Sequence, residues 1–260
     1  MHEFNHLEEC MGTVFQFSGL SEIDEAEFLE SATNTLHKAD AIFSLYKPES
    51  PLSRLARGET SVSQCPGVVE QVWELCESWA KKTDGWFSAF TPEHTFDPSG
   101  LVKTWAAQAA VEKLLEAGIT DFTLNAGGDI LISDGQSREE FWRVAISKPV
   151  SIADAEAGVL TVLDLSGTEF RAVATSGSAE RGQHIWNPKS NENQQDFTQV
   201  SVIARDIVEA DVWATAAFAE GIRSLERINN QAHLEALYVM ADGSLQATDG
   251  VLALLAKATR

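Results

Sequence analysis

Two oxygen-bearing side chains, Asp211 and Thr215, lie four residues apart in a stretch that is otherwise almost wholly apolar or small. On a helix they share one face, about 40° apart around the axis. A carboxylate and a hydroxyl in this arrangement can each give one oxygen to a hard cation such as Mg²⁺. The structural alternative is that Asp211 favours the helix N-terminus and Thr215 bonds back to a carbonyl. By spacing alone, the structural alternative is favoured.

A second polar cluster, "FDPSGLVKTW", lies at the predicted start of a helix. Asp97 and Ser99 precede the helix and Gly100 opens it. Either polar residue could cap free backbone N–H groups, and taken alone the stretch favours capping. The functional alternative is a phosphate held at the helix N-terminus, with Lys103 reaching back from the first turn.

Two further stretches combine glycine or hydroxyl groups with the ends of predicted strands. "NAGGDI" places Gly127 and Gly128 between strands, where positive φ permits either a tight hairpin or close approach of a ligand. The sequence contains neither the dinucleotide fingerprint nor a P-loop. In "VATSGSAERGQHIWNP", His184 lies among hydroxyl groups and one arginine, Arg181. That setting favours a general base or a ligand contact over a purely structural histidine.

Helices and strands that position these side chains follow one another without regular alternation. Hydrophobic periodicity predicts helices over 24–43, 66–85, 101–118 and the Asp211 stretch, with shorter helices near Leu225 and the C-terminus. "KPESPLSRL" is predicted to be a loop. Strands are predicted within 12–19, 121–133, 142–149, 158–167, 169–177, 197–204 and 235–243. We therefore expect an α+β or mixed α/β fold, forming one domain over residues 1–260.

Composition limits the classes of ligand and partner. With 39 acidic and 19 basic residues the net charge is −20, so nucleic-acid binding through a broad basic surface is excluded and an anionic ligand requires a local cation or metal. The odd cysteine count (Cys10, Cys65 and Cys76) without paired spacing favours a reducing compartment. The first ten residues lack the apolar core of a signal peptide, and no stretch is long and apolar enough to insert into a membrane. We expect a cytoplasmic protein, either a monomer or a homodimer.

Taken in order, these stretches resemble the ApbE family, the FAD:protein FMN transferases. The resemblance extends over most of the chain, through "MGTVFQF", "IFSLYKPESPLSRL", "FDPSGLVKTWA", "NAGGDI", "ATSGSAERGQHIWNP" and "VSVIARDIVEADVWATAAFAEG". The short, leaderless form and the "DPSGLVK" and "ATSG-x-x-ERG-x-HI" motifs are similar to the cytoplasmic type best known from actinobacteria. The resemblance implies a mixed α/β fold of the T-fold-like kind.

The resemblance also implies an activity. Such an enzyme binds FAD as substrate together with Mg²⁺, for which Mn²⁺ could substitute since both prefer oxygen ligands. A threonine or serine hydroxyl of an acceptor protein attacks the flavin-side phosphorus, and AMP leaves. Some members instead hydrolyse FAD to FMN and AMP, and a flavin-binding paralogue without turnover is the third alternative.

Residue roles follow from the same resemblance. Asp211 and Thr215 match the family's metal ligands, and Gly100 falls where a backbone carbonyl reaches the same metal. His184 matches the histidine proposed to deprotonate the acceptor hydroxyl. The remaining matches are to FAD-contacting positions, with Arg181 assigned to phosphate: Met11, Tyr46, Asp97, Lys103, Arg181 and Ile185.

Three positions depart from the family pattern. "KTWAAQ" has Thr104 where the family usually has glycine and Gln108 where it has aspartate. Asn187 precedes Pro188 where the family usually has aspartate. Thr104 adds a β-branched side chain where the backbone could need to approach the ligand, and the changes at Thr104 and Gln108 motivate the binding-only alternative.

Overall fold

The computed structural model describes residues 1–149, 158–177, 185–190 and 195–256. They divide into two compact units, Met1–Gly127 and Gly128–Arg260. Both units combine strands with helices, which confirms the expected mixed α and β composition. The interpretation of the whole chain as one domain stays a prediction.

The first unit is a three-stranded antiparallel arrangement accompanied by four helices. Strands β1 (His2–Cys10) and β2 (Thr13–Ser21) form a hairpin, and β3 (Asp121–Ala126) pairs with β2. The helices are α1 (Glu25–Phe43), α2 (Pro51–Ala56), α3 (Gly67–Lys82) and α4 (Ser99–Glu116). Helix α1 packs against α4 and β1.

Helix α1 shows why the sequence pattern predicts its position well. Asp24 caps it, its carboxylate accepting a hydrogen bond from the backbone N–H of Ala26 at 2.9 Å. Its apolar residues recur at helical spacing, so that they fall on one face. The five residues of this stripe are buried in the structure: Phe28, Ala32, Leu36, Ala39 and Phe43.

In the second unit the described residues form two antiparallel sheets and three helices. Its larger sheet has the order β4 (Asp129–Ile132), β7 (Ala172–Gly177), β8 (Phe197–Ala204), β9 (Glu235–Met240) and β10 (Leu245–Ala247). Strands β5 (Arg143–Ser147) and β6 (Val159–Asp164) form the smaller sheet. The helices are α5 (Ile207–Glu220), α6 (Ser224–Asn229) and α7 (Val251–Leu254). Helix α5 packs on β7 and β8.

The structure corrects the sequence prediction in three places. The segment 47–55, predicted to be a loop, contains most of α2, because Pro51 occupies the first helical turn and Ser50 Oγ accepts the Ser53 N–H at 3.0 Å. Strands β1 and β10 were not predicted.

None of the described helices combines the length and apolar character required to cross a bilayer.

Strand β1 lacks a regular alternation of apolar and polar residues because some of its side chains that face α1 are polar. The two oxygens of Glu8 pair with His6 Nε2 at 3.0 Å and His37 Nε2 at 2.7 Å. The other ring nitrogen of His37 lies 3.6 Å from Cys10 Sγ. Burial raises the pKa of Glu8, but the hydrogen bonds and positive charges of the two histidines outweigh it, so that the pKa is lower than its ordinary 4.5.

A lowered carboxyl pKa stabilises the fold at neutral pH and ceases to do so in acid. The contribution is complete above the ordinary value of 4.5 and is lost as pH falls through the lower folded-state value. We expect Glu8→Gln to reduce the free energy of unfolding by about 1 kcal/mol at neutral pH, and by less at an acid pH below 4.5. Urea denaturation at both pH values measures this. Glu9→Gln, on the exposed face of the same strand, is the matched control, and an equal loss at both pH values would contradict the assignment.

Candidate functional site

Helix α5 is buried on nearly all sides, and one of its buried side chains is the carboxylate of Asp211. Asp206 caps the helix by accepting the Glu209 N–H at 2.9 Å. Asp211 is the fifth residue of the helix and therefore lies beyond its first turn. The macrodipole stabilises a carboxylate mainly within that first turn. Asp211 is only 7% exposed. The proposed stabilisation of the helix N-terminus therefore does not explain Asp211.

The hydrogen bond of the Thr215 hydroxyl is also not the one that the structural alternative predicts. Thr215 Oγ1 lies 3.2 Å from the hydroxyl oxygen of Ser176 on β7, and either atom can donate. Among the described residues, the Thr215 hydroxyl therefore bonds to Ser176 and not to a carbonyl one turn earlier in the helix. Ser176 is buried, while Thr215 is partly exposed. Thr215 is thus a hydroxyl held in place by a neighbouring strand.

The carboxyl end of β7 is fixed by two more hydrogen bonds. The backbone N–H of Thr175 donates to Asp129 Oδ1 at 3.0 Å, and Asp129 is buried at the start of β4. The Thr175 hydroxyl pairs with Ser201 Oγ on β8 at 2.8 Å. The bond to Asp129 restrains the backbone immediately before Ser176, whereas the bond to Ser201 joins two side chains. Sequence analysis did not assign Asp129 a role, although it follows the paired glycines.

The paired glycines have the positive φ angles that the sequence predicts, 62° at Gly127 and 100° at Gly128. The Gly127 N–H donates to the Val14 carbonyl at 3.0 Å. A Cβ atom at Gly127 would lie 2.2 Å from Thr13 Oγ1. Gly127 is therefore required both by its backbone conformation and by close packing against β2.

At the N-terminus of α4, Asp97 performs the capping role considered above. Its Oδ1 accepts the Ser99 N–H at 3.0 Å, while its own N–H donates to the Ala89 carbonyl at 2.8 Å. Gly100 is the second residue of the helix, and Gly100 and Lys103 are both partly buried. The assignments of Asp97 and Lys103 to FAD and of Gly100 to the metal stay predictions.

An aromatic cluster that sequence analysis missed supports this turn. The ring of Trp73 on α3 lies 5.0 Å from that of Phe90 and 4.5 Å from that of Phe96. Phe90 and Phe96 form an isolated antiparallel bridge just before Asp97. Aromatic residues separated by so many positions leave no local signal that they meet.

The β1–β2 turn borders an open hollow of about 420 Å³, lined by residues 9–14 and Asp40. Met11 in this turn has a φ of 54°, a left-handed conformation that is uncommon for a residue with a side chain. Tyr46, which follows α1, is 98% exposed, and its neighbour Lys47 forms an ion pair with Asp40. These features are compatible with the predicted role of Met11 in lining a pocket.

Two predicted site residues, Arg181 and His184, lie outside the described residues. Ile185 opens the short described segment 185–190 and is partly buried. In that segment Asn187 Oδ1 accepts the N–H groups of Lys189 at 2.8 Å and Ser190 at 3.3 Å. An aspartate oxygen could accept the same bonds, so this departure from the family pattern preserves the turn.

The Thr104 departure also has a structural explanation. Its side chain is fully buried, and its hydroxyl donates to the Leu101 carbonyl at 3.1 Å within α4. The added methyl and hydroxyl groups therefore point into the protein instead of covering a ligand-facing surface. Gln108 is partly buried on the same helix, and nothing in the structure explains its choice over aspartate.

The donor groups around α5 fit a hard cation. Asp211 offers a carboxylate and Thr215 offers a hydroxyl oxygen, while Ser176 is the hydrogen-bond partner of Thr215. Among the described residues no three His, Cys, Asp or Glu side chains cluster as metal ligands. Burial raises the pKa values of Cys10 and Cys76 to about 11 and about 12, with nearby carboxylates adding to the shift. A sparse set of oxygen ligands suits Mg²⁺, which usually retains waters and substrate phosphates.

Comparison with known proteins places the chain in a family. The sequence model of the ApbE family matches residues 89–238. A curated FAD:protein FMN transferase of Salmonella typhimurium is 26% identical over 161 residues, covering 58% of this chain and 44% of the relative. One from Rhodobacter capsulatus is 33% identical over 174 residues, covering 63% of this chain and 32% of the relative. The match thus spans less than half the length of these relatives.

Solved structures support the same placement at the level of the fold. The flavin transferase ApbE from Vibrio cholerae has a TM-score of 0.78 at 18% identity, with 98% of this chain and 99% of that chain covered. An ApbE protein from Thermotoga maritima has a TM-score of 0.76 at 18% identity, with 98% and 100% covered. The expected ApbE-like fold is confirmed. On the evidence of the matched segment and this fold, the chain belongs to the ApbE family.

Proposed function

We propose that this protein transfers FMN from FAD to a threonine or serine hydroxyl of an acceptor protein and releases AMP, with Mg²⁺ or Mn²⁺ bound at Asp211 and Thr215. The observation that carries the proposal is the oxygen-donor arrangement on α5 in a member of the ApbE family, whose curated relatives are named FAD:protein FMN transferase. The buried carboxylate supplies the charge that attracts a cation, and the hydroxyl supplies a neutral oxygen. When bound, the cation would neutralise charge on the phosphate groups.

The chain's remaining groups are assigned to binding and proton transfer. His184 takes the proton of the acceptor hydroxyl as its oxygen bonds to the flavin-side phosphorus. The bond from that phosphorus to the bridging oxygen breaks, and AMP departs with the electron pair. Lys103 and Arg181 are the predicted cationic contacts of the FAD phosphates, which a protein of net charge −20 requires locally.

Tyr46 is proposed to provide an aromatic surface for FAD, together with Met11 and Ile185. A tyrosine ring that is 98% exposed has nearly its whole face available for stacking. We expect Tyr46→Ala to raise the FAD dissociation constant roughly tenfold, since stacking on an aromatic ring contributes about 1–3 kcal/mol. Tyr46→Phe keeps the ring and should bind like the wild type. Flavin fluorescence titration measures both, and unchanged affinity in Tyr46→Ala would remove Tyr46 from the site.

The decisive test follows both products of the proposed reaction. Purified protein is incubated with FAD, an acceptor domain carrying the family's threonine motif, and either Mg²⁺ or EDTA. AMP is quantified by chromatography, and the intact mass of the acceptor is measured. Metal-dependent AMP release with one FMN phosphoester on the acceptor is the expected result, and an acceptor with its threonine replaced by valine is the control.

Two other outcomes would replace the proposal. AMP with only free FMN, also when other acceptor domains are supplied, would indicate an FAD pyrophosphatase. FAD binding without AMP release would indicate a binding protein without turnover. The buried, internally bonded Thr104 removes one of the two motives for that last alternative.

Cytoplasmic location stays a prediction, for which the three free cysteines argue.

A further inference from the structure

Ser176 is a polar residue on a face of β7 that is otherwise packed with small apolar groups. Ala174 and Ala172, two and four residues earlier on the same face, are fully buried, and β7 packs against α5. A hydroxyl in such a place requires a hydrogen-bond partner. Its partner across the interface is the Thr215 hydroxyl at 3.2 Å.

The conformation of Thr215 depends on this contact. A threonine on a helix divides between two χ1 rotamers, because its hydroxyl can bond back to the carbonyl three or four residues earlier. For Thr215 the carbonyl four residues back belongs to Asp211. The bond to Ser176 instead holds the hydroxyl toward β7. Without Ser176 the backbone carbonyl becomes the competing acceptor.

We propose that Ser176 is a positioning residue that prepares the Thr215 hydroxyl for cation binding. This inference rests on the proposed function, which assigns Thr215 as a metal ligand. A hydroxyl that gives a lone pair to a cation still has a proton, and that proton requires an acceptor facing away from the cation. Ser176 Oγ is in place to accept it. Either hydroxyl can donate in the absence of a cation, and cation binding fixes Thr215 as the donor.

Asp129 extends this support to the backbone. Its Oδ1 accepts the N–H of Thr175, the residue before Ser176, at 3.0 Å. Because Asp129 is buried at the start of β4, this bond pins the end of β7 against its neighbouring strand. The position of the Ser176 hydroxyl is therefore set by the strand and not by an exposed loop.

The test measures cation binding directly instead of activity alone. Free Mn²⁺ is quantified by electron paramagnetic resonance during titration of the protein with FAD present. We expect Ser176→Ala to raise the Mn²⁺ dissociation constant about tenfold, in the range found for partners that orient metal ligands. Ser176→Thr keeps the hydroxyl and should stay within twofold of the wild type. Ser176→Cys, which keeps the connectivity of the side chain but is a poor acceptor, should weaken binding as Ser176→Ala does.

Ser201→Ala is the matched control. It removes a buried hydroxyl from the neighbouring strand of the same sheet, where the partners are Thr175 and Gln199 and not a residue of α5. A general loosening of the sheet would weaken Mn²⁺ binding in Ser201→Ala as well, and that result would overturn the inference. Thermal denaturation of each variant reports whether it is folded.

A double mutant separates action through Thr215 from an independent effect. Thr215→Val keeps the shape of the side chain and removes its oxygen. If Ser176 acts through Thr215, the Ser176→Ala/Thr215→Val protein should bind Mn²⁺ like Thr215→Val alone. Additive losses, or wild-type binding in Ser176→Ala, would overturn the inference and leave the proposed function standing. Failure of the wild type to bind Mn²⁺ with FAD would overturn the metal site of the proposed function, and the inference with it.

Discussion

Asp211→Asn should lower metal-dependent AMP release from FAD by roughly 10²–10³-fold, comparable with losing a group that stabilises transition-state charge. The substitution preserves shape while it removes the negative charge from a side chain that is 7% exposed within α5. An amide oxygen is a weaker ligand for a hard cation than a carboxylate. Rates measured over a range of Mn²⁺ concentrations should therefore show a large rise in the concentration required for half-maximal activity.

The control for this prediction is Glu209→Gln. It neutralises a carboxylate on the same helix, partly buried and paired with His233 at 3.3 Å. Glu209→Gln should retain activity within about threefold, since it changes the helix charge by the same amount without removing a proposed ligand. Full activity in Asp211→Asn at wild-type metal concentrations would exclude Asp211 as a ligand.

Gly127→Ala should destabilise the first unit by about 2–5 kcal/mol. A φ of 62° costs a residue with a side chain about 1–2 kcal/mol. A Cβ atom 2.2 Å from Thr13 Oγ1 adds an overpacking cost of about 1–3 kcal/mol. For a protein of this size we expect the melting temperature to fall by roughly 10 °C. Differential scanning calorimetry measures the shift.

Gly118→Ala separates the two contributions. Gly118 also has a positive φ, 82°, but a Cβ atom there would meet nothing within 4 Å. It should therefore show the backbone cost alone, about 1–2 kcal/mol. Combining Gly127→Ala with Thr13→Ala, which removes the clashing hydroxyl, should recover part of the loss. Equal destabilisation by Gly127→Ala and Gly118→Ala would show that the contact with Thr13 relaxes without cost.

Local patterns predict those parts of the fold in which periodicity and burial coincide. The stripe from Phe28 to Phe43 predicts α1, and the apolar run around Trp213 predicts the buried helix α5. Strand β1 could not be predicted in this way, because Leu7 faces outward while the inward-facing Glu8 is satisfied by histidines on β1 and α1. Such a pattern makes physical sense only after the hydrogen bonds are known.

The candidate site shows the same division. The one-turn spacing of Asp211 and Thr215 is visible in the sequence, since a single helix sets it. The partnership of Thr215 with Ser176 joins a helix to a strand 39 positions away, and no spacing rule connects them. The metal-binding role proposed for Asp211 and Thr215 comes from the sequence only through resemblance to a family.

The contrast between the two tyrosines has a practical consequence for chemical labelling. The chain contains two tyrosines; Tyr46 is almost wholly exposed, whereas Tyr238 is fully buried and burial raises the pKa of its phenol. Tetranitromethane reacts with accessible phenolate, so mild nitration should modify Tyr46 alone. The nitrotyrosine absorbs visible light and responds to the polarity around it. Its absorbance would then report, from a single known position, whether FAD reaches that ring.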